Sequence, residues 1–140
     1  MEDYEFEKDE LLRINVLICV LNQLPKGCSL WVGDYILKAF ADGWLIKMKD
    51  YYLKEENYYD FFDLSPECIK YLEKELLKYP EFISYFCHYG IVHPDRKFLR
   101  VLDGESIEID PSINVPEWLI HECAQHGVYI YREEVLKIGL

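Results

Sequence analysis

All four histidines of this chain follow residue 87, and two short stretches set them beside cysteine. One is Cys87-His88 with His93 nearby; the other is His121-x-Cys123-x-x-His126. Imidazole nitrogen and thiolate sulfur are the usual ligands of zinc, so the residue types suit a metal site. The spacing does not. It matches no standard finger. His121 and Cys123, two apart, point in different directions on a helix, where neighbours on one face are three or four apart. Only Cys123 and His126 share a face. The plainer reading is a core cysteine with surface or capping histidines, and His126 near a helix C-terminus complements the dipole there without a metal. A Cys/His nucleophilic pair needs both side chains together in space, which the adjacency of Cys87 and His88 in sequence does not supply. There is no glycine-rich phosphate loop, Walker sequence or dinucleotide fingerprint. The expectation is a chain with no metal, no cofactor and no enzymatic activity.

Charge and aromatic rings suggest a different chemistry. Twenty-six acidic residues against fifteen basic ones give a formal charge of -11. Such a balance argues against direct binding to a phosphate backbone, which requires clustered Lys and Arg. It suits a protein partner with a basic surface, because opposite potentials speed encounter. Solubility alone is the competing explanation. The acids and rings concentrate between residues 50 and 63, where Glu55, Glu56 and Asp60 are set among Tyr51, Tyr58 and Tyr59. Tyr is favoured at contact surfaces because its ring is large and rigid with a polar tip. The expected docking residues are therefore Tyr51, Glu55, Glu56, Tyr58 and Asp60, with Trp31 and Asp34 on the outward side of a neighbouring helix.

These residues need elements to position them. Residues 1–8 read as an acidic arm, and Asp9 as the cap of a helix running to about Leu24. The stretch Ile14 to Leu21 is apolar nearly all round, so this helix should be central and buried. Ser29 reads as the cap of a second helix, Leu30 to Asp42, stopped by Gly43. "WLIKMKDYYL" has strand spacing, with Ile46, Met48 and Tyr52 on one parity. "KEEN" is a tight polar loop and "YYDFFD" is rich in strand-favouring aromatics, so the pair reads as a hairpin. Ser65 and Pro66 then open a helix to Tyr79 with Ile69, Leu72 and Leu76 on its buried stripe. Pro80 starts a short helix to about His88. The last third carries a hairpin signal in "KFLRVLDGESIEID", a helix from Pro116 to Gly127, and a short strand "VYIY".

Helix, helix, hairpin and capped helix follow one another in the order of a winged-helix domain. Gly43 with "WLIKMKDYYL" resembles the turn out of a recognition helix into a wing. "YYDFFDLSPECIKYLEKELLKYPEF" is similar to the segment where the second wing strand enters the closing helix through a Leu-Ser/Thr-x-x-Gly pattern. The likeness, over about residues 9–83, is to the winged-helix domain of the type shared by plectin and a eukaryotic small-subunit ribosomal protein. Cys68 stands where that pattern has Gly, and only "PKGCS" separates Leu24 from Leu30, where the family has a further helix. The ribosomal relatives are basic and this chain is acidic, so the likeness implies a fold and not RNA binding.

The expected architecture is α+β: a winged-helix-like core over residues 9–90 and a small hairpin–helix–strand addition over residues 91–140, packed on it. The longest apolar run, Val16 to Leu21, is far short of the ~20 residues that span a membrane, and "MEDYEFEKDE" lacks the basic region of a secretory signal. Five cysteines without a C-x-x-C pair suit a reducing, cytoplasmic setting. The expected function is a small acidic protein that docks on a basic partner, in its sharper form an inhibitor that covers a nucleic-acid-binding site. The alternative is a ribosome- or nucleic-acid-associated factor. That alternative needs a basic patch, for which "HPDRKFLR" (residues 93–100) is the candidate. Oligomeric state is left open by the sequence.

Overall fold

Apolar side chains on nearly every side of one segment can be satisfied only by burial, and that segment organises the molecule. The computed structural model describes residues 2–33, 46–86, 88–103 and 106–133, with backbone alone described for residues 2–8, 82 and 85. Helix α1 runs from Glu2 to Leu21. Ile14, Val16, Leu17, Val20 and Leu21 are all buried in the core. Asp9 is therefore an interior helix residue and not the expected cap. Its carboxylate meets His126 at 2.8 Å.

Among the described residues, seven strands form one sheet in the order β2-β3-β1-β4-β5-β6-β7. They are β1 (Ser29–Val32), β2 (Tyr52–Glu56), β3 (Tyr59–Asp63), β4 (His88–His93), β5 (Arg96–Leu102), β6 (Ser106–Ile109) and β7 (Tyr129–Arg132). All neighbours are antiparallel except β6 and β7. That parallel pair needs a crossover, supplied by helix α3 (Glu117–Gln125). Helix α2 (Pro66–Lys78) lies between β3 and β4 in sequence. The α+β class expected from sequence is therefore present. The expected junction near residues 90–96 falls inside the sheet, where β4 pairs with β1 on one side and β5 on the other.

The register defines the two faces. One cross-strand row reads Phe62, Leu30, Ile91, Leu99, Ile109, and the next reads Asp60, Val32, Tyr89, Val101, Ile107. The apolar members of both rows share one core cluster with α1, with Cys68, Leu72 and Leu76 of α2, and with Leu119 and Cys123 of α3. The opposite face carries Phe61, Trp31, Gly90, Arg100, Glu108 and Tyr131 in one row.

Local signals explain the helix ends. The Ser65 side chain accepts from the Cys68 N–H at 3.2 Å, with Pro66 at the first helical position, as the spacing predicts. Gly127, at φ 77°, closes α3. Its N–H donates to Ala124 O and the Val128 N–H to Cys123 O, the paired bonds of a Schellman stop.

Four elements differ from expectation. Lys54, Glu55 and Glu56 of the expected "KEEN" loop belong to strand β2, with the turn at Asn57-Tyr58. The helix expected from Pro80 to about His88 is a 3₁₀ helix over Pro80–Tyr85, and His88 opens β4, where no strand was expected. Ser29–Val32 is the strand between β3 and β4, not the start of a helix; residues 34–45 lie outside the described region. A strand flanked on both edges and covered on both faces has no alternation to display, so Leu30-Trp31-Val32 reads as an unbroken apolar run that either periodicity fits. Ile46–Tyr51 is a 3₁₀ helix, and the hairpin strand begins only at Tyr52. Three residues per turn put Met48 and Tyr51 on the same side. Met48 is buried and Tyr51 half-buried against the core.

Candidate docking surface

The β2–β3 hairpin forms one edge of the sheet, with β2 outermost. All five residues of β2 are exposed. The two-residue turn is Asn57-Tyr58, with φ 54° and 71°. Positive φ at both central positions is the conformation of a type I′ turn, which matches strand twist and favours Asn then Gly. Asn57 follows that preference and Tyr58 does not. A bulky side chain in the left-handed region carries a steric cost of about 1–2 kcal/mol. Tyr58 is 77% exposed, so burial does not offset that cost. Glu55 and Glu56 stand beside it, both exposed.

Side-chain contacts join the two strands of the hairpin. Lys54 Nζ contacts Glu56 at 2.8 Å and lies 5.2 Å from the centre of the Phe61 ring. Tyr52 packs edge-on against Phe62, its cross-strand partner, with ring centres 5.7 Å apart. Desolvation, then the charges of Asp60 and Glu55 and a hydrogen bond to Asp60, hold the Tyr52 hydroxyl above its ordinary pKa. Trp31 packs edge-on to Tyr59 at 4.9 Å. Its indole lies against Gly90 so closely that a Cβ there would come within 2.5 Å of three ring atoms.

Of the expected docking residues, the structure brings Glu55, Glu56 and Tyr58 together at the exposed hairpin tip. Three others lie elsewhere. Trp31 is 3% exposed because it belongs to a central strand. Asp60 is 2% exposed because β3 lies between two strands, and its parity points it to the helix-covered face beside Val32. Tyr51 is half-buried against the core, where burial, then the charges of Cys68, Glu67 and Asp50, raises its pKa. Asp34 lies outside the described residues. Sequence reasoning missed Leu53, which is exposed at the irregular step between Tyr52 and Lys54. An apolar residue beside charged ones in an edge strand was the available signal.

No family model, curated protein or solved structure matches the chain.

The histidine and cysteine chemistry resolves into structural pairs. His126 Nδ1 lies 2.8 Å from Asp9, with Cys123 on the same helix. Cys, His and Asp in one neighbourhood resemble a nucleophilic triad. The Cys123 thiol, however, is buried, and burial, then the charges of Asp9 and Glu122, pushes it up to about 11. Burial of that thiol disfavours the thiolate, the form that acts as a nucleophile. His88 is near Asp103 at 3.6 Å, His93 near Asp95 at 4.0 Å, and His121 near Gln125 at 3.1 Å. Among the described residues no group of three or more His, Cys, Asp or Glu could hold a metal ion, and Cys87 lies outside that set. No described helix is long and apolar enough to cross a membrane.

Two cations of the basic run face acids of their own chain. Arg100 meets Glu108, directly opposite on β6, at 2.8 Å, both side chains largely buried. Arg96 lies 3.7 Å from the buried carboxylate of Asp110.

Proposed function

We propose that this chain is a small non-enzymatic binding protein that docks on a protein partner with a basic surface through the tip of the β2–β3 hairpin. The observation that carries this reading is Tyr58: a large ring held in a disfavoured backbone conformation, exposed, between the sheet edge and two acids. Strain without an internal return is a mark of a site kept for a contact. Aromatic anchors flanked by charge divide the work of association, acids raising the encounter rate and the ring slowing release. A partner whose basic surface is a nucleic-acid-binding site would be inhibited by such docking, since Glu55 and Glu56 would occupy the place of phosphates. That is the sharper form of the proposal, with a cytoplasmic setting.

The other reading, a ribosome- or nucleic-acid-associated factor of winged-helix type, draws on the hairpin leading into the Ser65-capped helix. Against it, Arg96 and Arg100 of the candidate basic patch already face acids of their own chain.

Immobilised protein and its Glu55→Lys/Glu56→Lys variant, exposed to lysate of the source cells with and without nuclease, separate the two. The docking reading expects a protein retained by the parent, insensitive to nuclease and lost from the variant. Retention that disappears with nuclease, or that survives the charge reversal, contradicts it.

A further inference from the structure

The hairpin offers backbone as well as side chains. In a two-residue hairpin the pair that closes the turn, here Glu56 and Tyr59, exchanges both ladder bonds. The next pair, Glu55 and Asp60, does not. The N–H and C=O of Glu55 therefore point away from β3, to the outer edge of the sheet, where β2 has no further strand among the described residues. An open edge of this kind is a template for a strand from another molecule.

Charge decides which strand. Successive residues of β2 face opposite sides of the sheet, so Glu55 and Glu56 present one carboxylate to each face. An added strand answers both only with two consecutive basic residues, and opposite charges across a strand pair are favourable. Glu56 is paired with Lys54 at 2.8 Å, while the Glu55 carboxylate lies close to Tyr52 and opposite Asp60 on β3. A second copy of β2 fits less well. Pairing about Glu55 would set that acid opposite its own copy, with Lys54 facing Glu56 on either side, and the two copies, at -11 each, repel as wholes. The irregular step at Leu53 ends the regular edge, which limits the seat to a short segment.

We infer that the outer edge of β2 is the seat of an extended basic segment of the partner, which adds to the sheet as an eighth strand with consecutive Lys or Arg side chains over Glu55 and Glu56. This rests on the docking reading above and deepens it: the partner contributes backbone hydrogen bonds at Glu55 together with its charge.

The test uses the full chain and a fluorescein-labelled peptide of about six residues, an ordinary strand length, with Lys-Arg at its centre flanked by Val and Thr. The parent protein is expected to bind it at low salt, and binding is expected to slow hydrogen exchange of the Glu55 amide by about tenfold or more. Glu55→Gln should weaken binding several-fold yet keep the slowed amide at that position. Glu55→Pro should abolish binding, because proline removes the outward donor while the ladder to β3 stays intact. Its melting temperature should stay near that of the parent. The inference is overturned if the peptide fails to bind, if it binds without protecting the Glu55 amide, or if Glu55→Pro and Glu55→Gln bind it alike. It is also overturned if sedimentation shows a dimer that protects the same amide. The exchange measurement on the parent decides the matter even where Glu55→Pro does not fold. If strand addition fails while Glu55→Lys/Glu56→Lys still abolishes capture from lysate, the docking reading stands and the backbone contact falls.

Discussion

Two of the hairpins in the sheet, β5–β6 and β2–β3, are put to different use. In β5–β6 the inward residues Leu99, Val101, Ile107 and Ile109 are all buried, and the charged pair on the other face, Arg100 and Glu108, is joined across the strands. These polar and apolar groups are consumed by the fold. In β2–β3 only the inner strand is consumed. Phe61 and Phe62 are buried, while every residue of β2 is exposed and Tyr58 stands in a strained turn. Position explains the contrast: β5 and β6 have a strand on each side, whereas β2 is an edge. A hairpin in the interior can serve only stability. A hairpin at the edge retains side chains and backbone that the fold does not need, and that surplus is where the docking proposal lies.

The largest effect expected of this contrast is in stability. Ile107→Ala in the inner hairpin should cost ~2–5 kcal/mol in urea melts, the usual range for emptying a core aliphatic site, and Leu72→Ala under the sheet should cost the same. Leu53→Ala in β2 should stay within about 0.5 kcal/mol. Equal losses at Ile107 and Leu53 would erase the distinction.

Next is the inner ion pair. Arg100→Ala leaves Glu108 charged in a largely buried place and should cost about 2–3 kcal/mol, somewhat less than breaking a fully buried pair. Adding Glu108→Ala should recover part of that loss, because no unpaired charge remains. A double variant no better than the single one would show that packing rather than charge is at stake.

Gly90→Ala should follow at ~1–3 kcal/mol, as overpacking forces the Trp31 indole off the sheet. A shift of Trp31 fluorescence to longer wavelength should accompany it. An unchanged melt would mean that Trp31 does not brace the outer face of the sheet.

The smallest effect has the opposite sign. Tyr58→Gly removes the steric cost of the left-handed conformation and should stabilise the protein by about 1 kcal/mol. The same change should shorten the lifetime of the complex with the partner. A destabilised variant would show that the ring has a structural role.

Much of this organisation was legible in the sequence where a local signal is sufficient. Ser65-Pro66 and Gly127 each mark a boundary that backbone chemistry enforces whatever surrounds it, and the helices they delimit are present, as are the two strands on either side of the Asp103-Gly104 signal. The exposure of Glu55, Glu56 and Tyr58 matches the polar reading of that stretch, but the turn falls at Asn57-Tyr58 and not over "KEEN". What failed depended on neighbours distant in sequence. Leu30-Trp31-Val32 is a strand because β3 and β4 pair with it, and Asp60 is buried because β1 and β2 enclose β3. Alternation assigns an inward and an outward face only where one face meets water. On β3 both faces are covered, so Asp60 is buried where parity implied an outward position, and Phe61 on the other parity is buried too.

The central claim is that the acids of the β2–β3 tip guide a basic partner onto this edge. The most direct test is the association rate of that partner with the parent protein and with Glu55→Lys/Glu56→Lys, at low and at high salt. The account predicts slower association for the variant at low salt, with the difference shrinking as added ions screen the charges. Equal association rates at low salt would contradict it, and the acidity of the chain would then be a matter of solubility.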